Sequence, residues 1–106
     1  MTLLLEHHGA RLEVTAEGLR VSGRVGFEVA TALAAAGREW LATQPDGTRV
    51  VFDLCGVAGV SSAALSVVLE WMRSARDSGL TLGKVRLSHA LQRLTEVAGL
   101  DRLLPL

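Results

Sequence analysis

Tyrosine is absent from this chain, and only two phenylalanines and two tryptophans are present. Nucleic-acid surfaces commonly stack bases on aromatic rings, for which this composition offers little material. An excess of one charge is also lacking, because eleven lysines and arginines balance eleven aspartates and glutamates. A chain without an excess of basic residues has no positive electrostatic field to attract a polyanion, so the sequence argues against nucleic acid as a partner.

Disulfides, metal clusters and long hydrophobic runs are lacking as well. Cys55 is the single cysteine, and no group of cysteines and histidines has the spacing of metal ligands. Hydrophobic residues make up 49% of the chain, yet no apolar run approaches the ~18 residues of a membrane helix. The N-terminus has no basic segment and therefore does not resemble a signal peptide. We expect one cytoplasmic domain over residues 1–106, without cofactor or metal. The high content of hydrophobic residues predicts apolar surface that contacts another protein.

Alternating apolar and polar residues in the first quarter of the chain predict short β-strands. The turn at Glu17-Gly18 joins the second and third strands into a hairpin, which Gly23 ends. The three expected strands are Leu3–Glu6, Arg11–Thr15 and Leu19–Ser22.

From Phe27 onward the apolar residues recur every three or four positions, which predicts an amphipathic helix. The consecutive turn residues Gln44–Gly47 end it. The nearly all-apolar run Val50–Leu54 then predicts a central strand covered on its helix side. The inward stripe of the helix is expected to hold Phe27, Ala30, Leu33, Ala34, Gly37, Trp40 and Leu41.

A second amphipathic helix is predicted to begin at Ser62 and to end at Ser78-Gly79, where glycine takes its favoured C-terminal position. Its inward stripe is expected to consist of Leu65, Val68, Leu69, Met72 and Ala75. Its outward stripe is expected to consist of Ser62, Ser66, Glu70, Arg73 and Asp77.

The last quarter of the chain predicts a strand over Leu80–Leu87, a short helix capped by Ser88, and a hydrophobic tail, Leu100–Pro105, that docks on the core. The helix carries Leu91, Leu94, Val97 and Ala98 as its apolar residues. The complete order is β-β-β-α-β-α-β-α. With right-handed crossovers it predicts an α/β fold in which helices pack on one side of a mixed sheet.

Ser62 is the principal candidate site, because a hydroxyl that follows a buried strand at a helix start lies at the positive end of the helix dipole. It is either a simple N-cap, worth ~1 kcal/mol relative to alanine, or a group that a partner protein contacts. Catalysis is not supported. No Gly-x-Ser-x-Gly elbow surrounds Ser62, and no nearby acid is placed to orient His7, His8 or His89 as a base.

Three further features have structural interpretations. The segment Gly79–Lys84 superficially resembles a phosphate-binding loop, but it is one residue short and Val85 stands where Ser or Thr would hold magnesium. Cys55 is expected to pack as a small apolar side chain. Trp40 and Trp71 are expected at half-buried edges of the core, and an exposed Trp71 would instead anchor an interface.

The segment Val50–Leu65 resembles the signature of the STAS domain family, the fold of sulfate transporters and anti-sigma-factor antagonists. Asp53–Val57 matches the first half of that signature, with Cys in place of Ser, and Ser61–Leu65 matches the second half. The segment Val85–Pro105 is similar to the last strand, the last helix and the Gly-Leu-Asp-x-Leu tail of the family. The resemblance implies the STAS fold for nearly the whole chain.

The resemblance also implies a role for Ser62. At this position, STAS antagonists of anti-sigma factors are phosphorylated by a partner kinase, and the STAS subunit of Mla-type phospholipid transporters contacts its ATPase. The family usually carries Asp directly before it, where this chain has Ser61, and Ala63 replaces a common Ser or Gly. Loss of the carboxylate weakens the kinase-regulated interpretation and leaves the docking interpretation intact.

Two helical segments favour the transporter-linked subtype. Phe27–Leu33, followed by Gly37-Arg38, is similar to the first helix of those proteins, and Leu69–Arg76 is similar to their central helix. The resemblance implies a non-catalytic cytoplasmic subunit, held at the inner face of the inner membrane through its complex. It would bind the ATPase of an Mla-type ABC transporter in phospholipid transport and outer-membrane lipid asymmetry.

The alternative is an anti-sigma-factor antagonist that binds an anti-sigma factor kinase and is regulated by phosphorylation of Ser62. A third class, a stand-alone lipid or small-ligand binder, lacks convergent polar residues in the sequence. The partner is therefore expected to be a protein, with no direct membrane insertion. The expected partner-binding residues are Ser61, Ser62, Ser66, Glu70, Trp71 and Arg73.

Overall fold

The computed structural model describes residues 2–106 and contains five strands and three helices in the predicted order. The strands are β1 (Thr2–His7), β2 (Ala10–Val14), β3 (Gly18–Gly23), β4 (Arg49–Val57) and β5 (Thr81–Leu87). The helices are α1 (Phe27–Ala42), α2 (Ser62–Asp77) and α3 (His89–Val97). The predicted α/β class, with a mixed sheet, is confirmed. None of the helices in residues 2–106 is long and apolar enough to cross a membrane.

The strands follow one another across the sheet in chain order. The β1–β2 and β2–β3 pairs are antiparallel, whereas β3–β4 and β4–β5 are parallel. Antiparallel neighbours need only short turns, and parallel neighbours need the long crossovers that α1 and α2 provide. Thr15, predicted as the end of a strand, instead lies in the β2–β3 turn. There its Oγ1 accepts hydrogen bonds from the N–H groups of Glu17 and Gly18, each at 3.2 Å.

The core lies between the sheet and a layer formed by α1 and α2, which pack against each other. The predicted docking of the C-terminal tail is confirmed, because Leu104 is buried and the Pro105 carbonyl accepts a hydrogen bond from the Val85 N–H at 2.9 Å. The largest fully buried side chains are Trp71, Phe52, Leu12, Leu19, Leu33, Leu41, Leu54 and Leu91.

The buried face of α2 is rotated relative to the prediction. Trp71, expected at a half-buried edge of the core, is fully buried, and Val67, which lies outside the predicted inward stripe, is also buried, while Leu69 of that stripe is only partly buried. The reason is that α2 packs against α1 as well as against the sheet, so its buried arc is centred on Trp71. The predicted outward stripe is confirmed, since Ser62, Ser66, Glu70, Arg73 and Asp77 are all exposed.

Two apolar residues, Phe27 of the predicted inward stripe of α1 and Val97 of α3, are exposed at helix ends. Phe27, the first residue of α1, is 78% exposed, and Val97, the last residue of α3, is 87% exposed. In α3 the inward face continues from Leu91 to Thr95, one turn further on. Thr95 tolerates burial because its hydroxyl donates to the Gln92 carbonyl at 2.6 Å.

Gly37 lets α1 and α2 approach closely. A Cβ atom at this position would lie 2.3 Å from Cε2 and Nε1 of Trp71, so the indole occupies the space that any larger residue needs. The Trp71 indole N–H donates to the Ala34 carbonyl at 3.2 Å, and its ring lies 5.5 Å from that of Phe52. The contact therefore joins α1, α2 and β4.

Gly37→Ala should destabilise the fold, although alanine is the better helix former by about 1 kcal/mol. We expect a loss of about 1–3 kcal/mol in the free energy of unfolding, because the added methyl group overlaps a ring that cannot move freely. Urea denaturation of the wild type and the variant measures this change in the free energy of unfolding. The double variant Gly37→Ala/Trp71→Phe should lose less than the sum of the two single variants, and strict additivity would contradict the proposed overlap.

The face of the sheet away from the helices carries charges in register across four strands. Glu13 pairs with Arg20, Arg20 with Asp53, and Asp53 with Arg86. The Arg86 guanidinium also donates to both carboxylate oxygens of Glu17, at 3.0 and 3.1 Å. These hydrogen bonds and the positive charge lower the pKa of Glu17 below its usual value, and Glu17 raises the pKa of Arg86.

Cys55 is exposed, so the prediction of a buried structural thiol is wrong. The strand continues past Leu54 to Val57, and alternation along β4 places Cys55 with Asp53 on the charged face. The Cys55 N–H donates to the Asp53 carboxylate at 2.9 Å. Partial desolvation and this carboxylate raise the pKa of the thiol, which keeps it in its less reactive protonated form.

Arg86→Gln should raise the pKa of Glu17 toward the usual carboxylate value, because the charge-assisted hydrogen bonds are lost. Since the pKa of Glu17 is lower in the folded state, the pair stabilises the wild-type fold above the unfolded-state pKa. That stabilisation disappears as the pH falls through the folded-state pKa. NMR titration of the Glu17 carboxyl tests the shift, with Lys84→Gln on the same strand as control. An unchanged pKa in Arg86→Gln would show that the pair does not form in solution.

Candidate functional site

Ser61 connects the N-terminus of α2 to the loop before α1 through hydrogen bonds of its side chain. It is the N-cap of α2, and its hydroxyl oxygen accepts a hydrogen bond from the Ala64 N–H at 3.0 Å. The same hydroxyl donates to the Val25 carbonyl at 2.7 Å, and the residue is only 8% exposed. One side chain therefore satisfies a free helix donor and also holds two loops together.

Ser62 is the first residue within the helix, so of its two interpretations the simple N-cap is wrong. The cap is one position earlier, because only Ser61 reaches both Ala64 and Val25. Ser62 is exposed, and its carbonyl accepts a hydrogen bond from the Ser66 hydroxyl at 3.2 Å. Within residues 2–106 the Ser62 hydroxyl makes no hydrogen bond. It is therefore available to a partner or to a modifying enzyme.

The role of Ser61 gives a physical reason for the departure from the aspartate that the STAS resemblance leads one to expect. A carboxylate can accept from the Ala64 N–H, but when ionised it cannot donate to the Val25 carbonyl. A serine hydroxyl does both. Ser61 was also predicted as a partner contact, and its burial assigns it to the support of the site instead.

Ser61→Ala should destabilise the protein by about 1–3 kcal/mol, because the cap is lost and the Val25 carbonyl loses its donor. Ser62→Ala should change the free energy of unfolding by less than about 0.5 kcal/mol, as expected of an exposed position outside the cap. Urea unfolding of the two matched variants distinguishes them. Equal losses, or a larger loss in Ser62→Ala, would contradict the assignment of the cap to Ser61.

The exposed face of α2 presents hydroxyls first and charges after them. Ser62 and Ser66 lie one turn apart, and Glu70 and Arg73 follow on the same face. Glu70 forms an ion pair with Arg38 of α1 at 3.7 Å, with both side chains about half exposed. We call Ser62, Ser66, Glu70 and Arg73 the α2 face.

A shallow groove runs beside the α2 face, between α1 and α2. It has a volume of ≈ 310 Å³. Small side chains at Ala30, Ala34 and Ser66 form its floor and sides, and the Arg38–Glu70 pair lies at one end. Small residues allow the backbone of another protein to come close, so the groove enlarges the surface that a partner can contact.

Trp71 does not belong to the partner surface, and its prediction as a contact residue is wrong. Its indole is fully buried on the opposite side of α2 from Ser62 and donates to Ala34. The exposed aromatic residue near the site is Phe27, two residues after Val25, whose carbonyl binds Ser61. Because Phe27 is in phase with the apolar stripe of α1, the sequence analysis assigned it to the core and missed it as a surface residue. Phe27 is exposed because it is the first residue of the helix, a position that the sequence pattern does not define.

Val60 is a second residue that sequence reasoning missed. It is 71% exposed in the loop between β4 and α2, directly before Ser61. Single exposed valines are common, but Val60 lies in the loop that contains Ser61, and Phe27 begins the helix that follows the Val25 loop, to which the Ser61 hydroxyl is bonded. Exposed apolar residues therefore follow or precede, in the chain, the two residues joined by the Ser61 hydroxyl.

The other candidate chemical groups lie elsewhere. His7 and His8 are at the end of β1, with ring centroids 3.9 Å apart, and His89 begins α3. The segment that superficially resembles a phosphate-binding loop lies mostly along β5 and does not lead from a strand into a helix. In residues 2–106, no group of three or more His, Cys, Asp or Glu residues could hold a metal ion.

Comparisons with known proteins agree with this architecture. A family model described as "Mlab, STAS domain" matches residues 8–105. The solved structure of the anti-sigma factor antagonist SpoIIAA in its unphosphorylated form has a TM-score of 0.63 and 18% identity, covering 88% of this chain and 83% of that one. An anti-sigma factor antagonist from Mycobacterium paratuberculosis has a TM-score of 0.63 and 25% identity, covering 99% and 82%. No curated protein sequence matches this chain.

Proposed function

The chain belongs to the STAS domain family, and on that premise we propose that it is a non-catalytic accessory subunit of an Mla-type ABC transporter. In this proposal it binds the cytoplasmic ATPase of the transporter and supports phospholipid transport that maintains outer-membrane lipid asymmetry. The observation that carries the proposal is the α2 face, which begins at an exposed Ser62 with an unengaged hydroxyl. The family model that matches the chain bears the name of the Mla subunit, which supports this subtype.

The composition of the α2 face suits a protein interface that forms and dissociates. Such interfaces are about as polar as the rest of a protein surface and use hydrogen bonds and charges for specificity. Ser62 and Ser66 offer small hydroxyls, and Arg73 offers a charge that has no ion pair in residues 2–106. The opposite side of α2 is occupied by the core, so this face is the part of the helix that remains for a partner.

Arg73→Glu should weaken binding of the ATPase by about tenfold or more, which corresponds to ~1.4 kcal/mol. The melting temperature should stay near that of the wild type, because Arg73 is exposed. Calorimetric titration with the purified ATPase subunit and thermal melting provide the two measurements. Lys84→Glu, an exposed charge reversal on the sheet, is the matched control and should bind as the wild type does. A variant Arg73→Glu that unfolds would show that this residue is structural.

Ser62→Asp should impair the same association while leaving stability near the wild-type value. A carboxylate in the first turn of a helix interacts favourably with the helix dipole, so folding is not penalised. Its charge and size, however, change the surface that the partner contacts. Ser62→Ala should have only a mild effect on both properties. If Ser62→Asp binds as tightly as the wild type, Ser62 is not part of the interface.

An anti-sigma-factor antagonist is the second candidate, favoured by the exposed Ser62 hydroxyl and by the two similar solved structures. Phosphorylation of Ser62 would add about two negative charges at a helix N-terminus and so switch binding. The buried serine at position 61 argues against it, since it supplies no carboxylate to a kinase. A pull-down from the native cytoplasm separates the candidates: an ABC ATPase supports the first, and a kinase together with Ser62 phosphate in the mass spectrum supports the second.

A further inference from the structure

Helix α3 carries a second, partly exposed stripe beside its buried one, in which Arg93 and Val97 are exposed while Ala90 and Leu94 are half-buried. Leu91 and Thr95 face the core, and Ser88 caps the helix by accepting from the Leu91 N–H at 3.3 Å. The second stripe follows the spacing i, i+3, i+4 and i+7 of a contact face. Its members are Ala90, Arg93, Leu94 and Val97.

This stripe forms one wall of a groove that reaches the N-terminus of α2. Val60 forms the opposite wall, and it directly precedes Ser61 and Ser62. The groove has a volume of ≈ 620 Å³ and is lined by Val60, His89, Ala90, Arg93, Leu94 and Val97. From Ala90 to Val97 it spans about 10 Å along the helix axis, which is two turns. Val60 places one wall of this groove two residues before Ser62, the first residue of the α2 face.

The charges of the groove have one sign. Arg93 is its permanently charged side chain, His89 is its second basic group, and none of the lining residues is acidic. The rest of the lining is aliphatic. An occupant that matches this surface presents aliphatic side chains along two turns and one acidic side chain beside Arg93.

We infer that the groove binds an amphipathic helix of the partner ATPase, with its aliphatic residues against Val60, Leu94 and Val97 and a carboxylate against Arg93. The inference rests on the proposed function and extends its interface from the α2 face onto α3. Two other occupants fit less well. Nine residues of α3 are too short to bury the ~800 Å² per partner of a stable symmetric dimer. One arginine and one histidine fall short of the 4–8 basic residues typical of lipid-headgroup surfaces.

Calorimetric titration of the intact domain with the purified ATPase subunit of the Mla-type transporter tests the inference. Val97→Glu and Arg93→Glu should each weaken binding at least about tenfold. Gln92→Glu adds the same charge as Val97→Glu on the same helix but outside the groove, and it should bind as the wild type does. Arg93→Lys keeps the positive charge and should retain most of the affinity. Thermal melting tests whether each variant is folded, and all are expected to be, because the substituted positions are exposed.

Results that contradict the inference distinguish a failure of the groove as docking site from a failure of the proposed function. If the wild-type domain binds and both groove variants bind equally well, the groove is not the docking site and the proposed function stands. If the wild-type domain does not bind the ATPase, both proposals fail. Sedimentation with phosphatidylglycerol and phosphatidylethanolamine vesicles that is lost in Val97→Glu would assign the groove to a membrane surface. A wild-type dimer in light scattering that Val97→Glu dissociates would assign it to a second copy of this chain.

Discussion

The indole of Trp71 lies between α1, α2 and β4, in a space that Gly37 leaves open. Its position in the chain determines which side of α2 is available for function. Trp71 follows Ser62 by about two and a half helical turns, so burying the indole against α1 turns Ser62 directly outward. The hydrogen bond from the indole N–H to the Ala34 carbonyl fixes this rotation. The exposed face of α2 is thus a consequence of how its opposite face packs.

The order of the elements could be predicted from the sequence, because each element needs only the local period of its apolar residues. The rotation of α2 could not be predicted, because it depends on the space that Gly37 leaves by having no side chain. Gly37 and Trp71 are far apart in the chain. The cap assignment failed for a similar reason. Ser61 and Ser62 are equivalent as neighbours of a helix start, and a carbonyl 36 positions away, that of Val25, distinguishes them.

The composition of the candidate site was predicted only in part. Ser62, Ser66, Glu70 and Arg73 share an exposed face because helical spacing alone places them there. Phe27 was assigned to the core because an apolar residue in phase with a stripe normally points inward. At a helix end this rule can fail, since the helix can extend past the core it covers, and Val97 at the end of α3 is exposed for the same reason.

The C-terminal tail has a consequence for how this protein can associate. The Pro105 carbonyl accepts a hydrogen bond from the Val85 N–H in the middle of β5, which is an edge strand of the sheet. Proline has no N–H of its own, so the tail accepts from the edge without offering a donor for another strand to pair with. Strand addition at β5 would first have to remove Leu104 from the core. The tail therefore opposes the pairing of a strand from another molecule with β5.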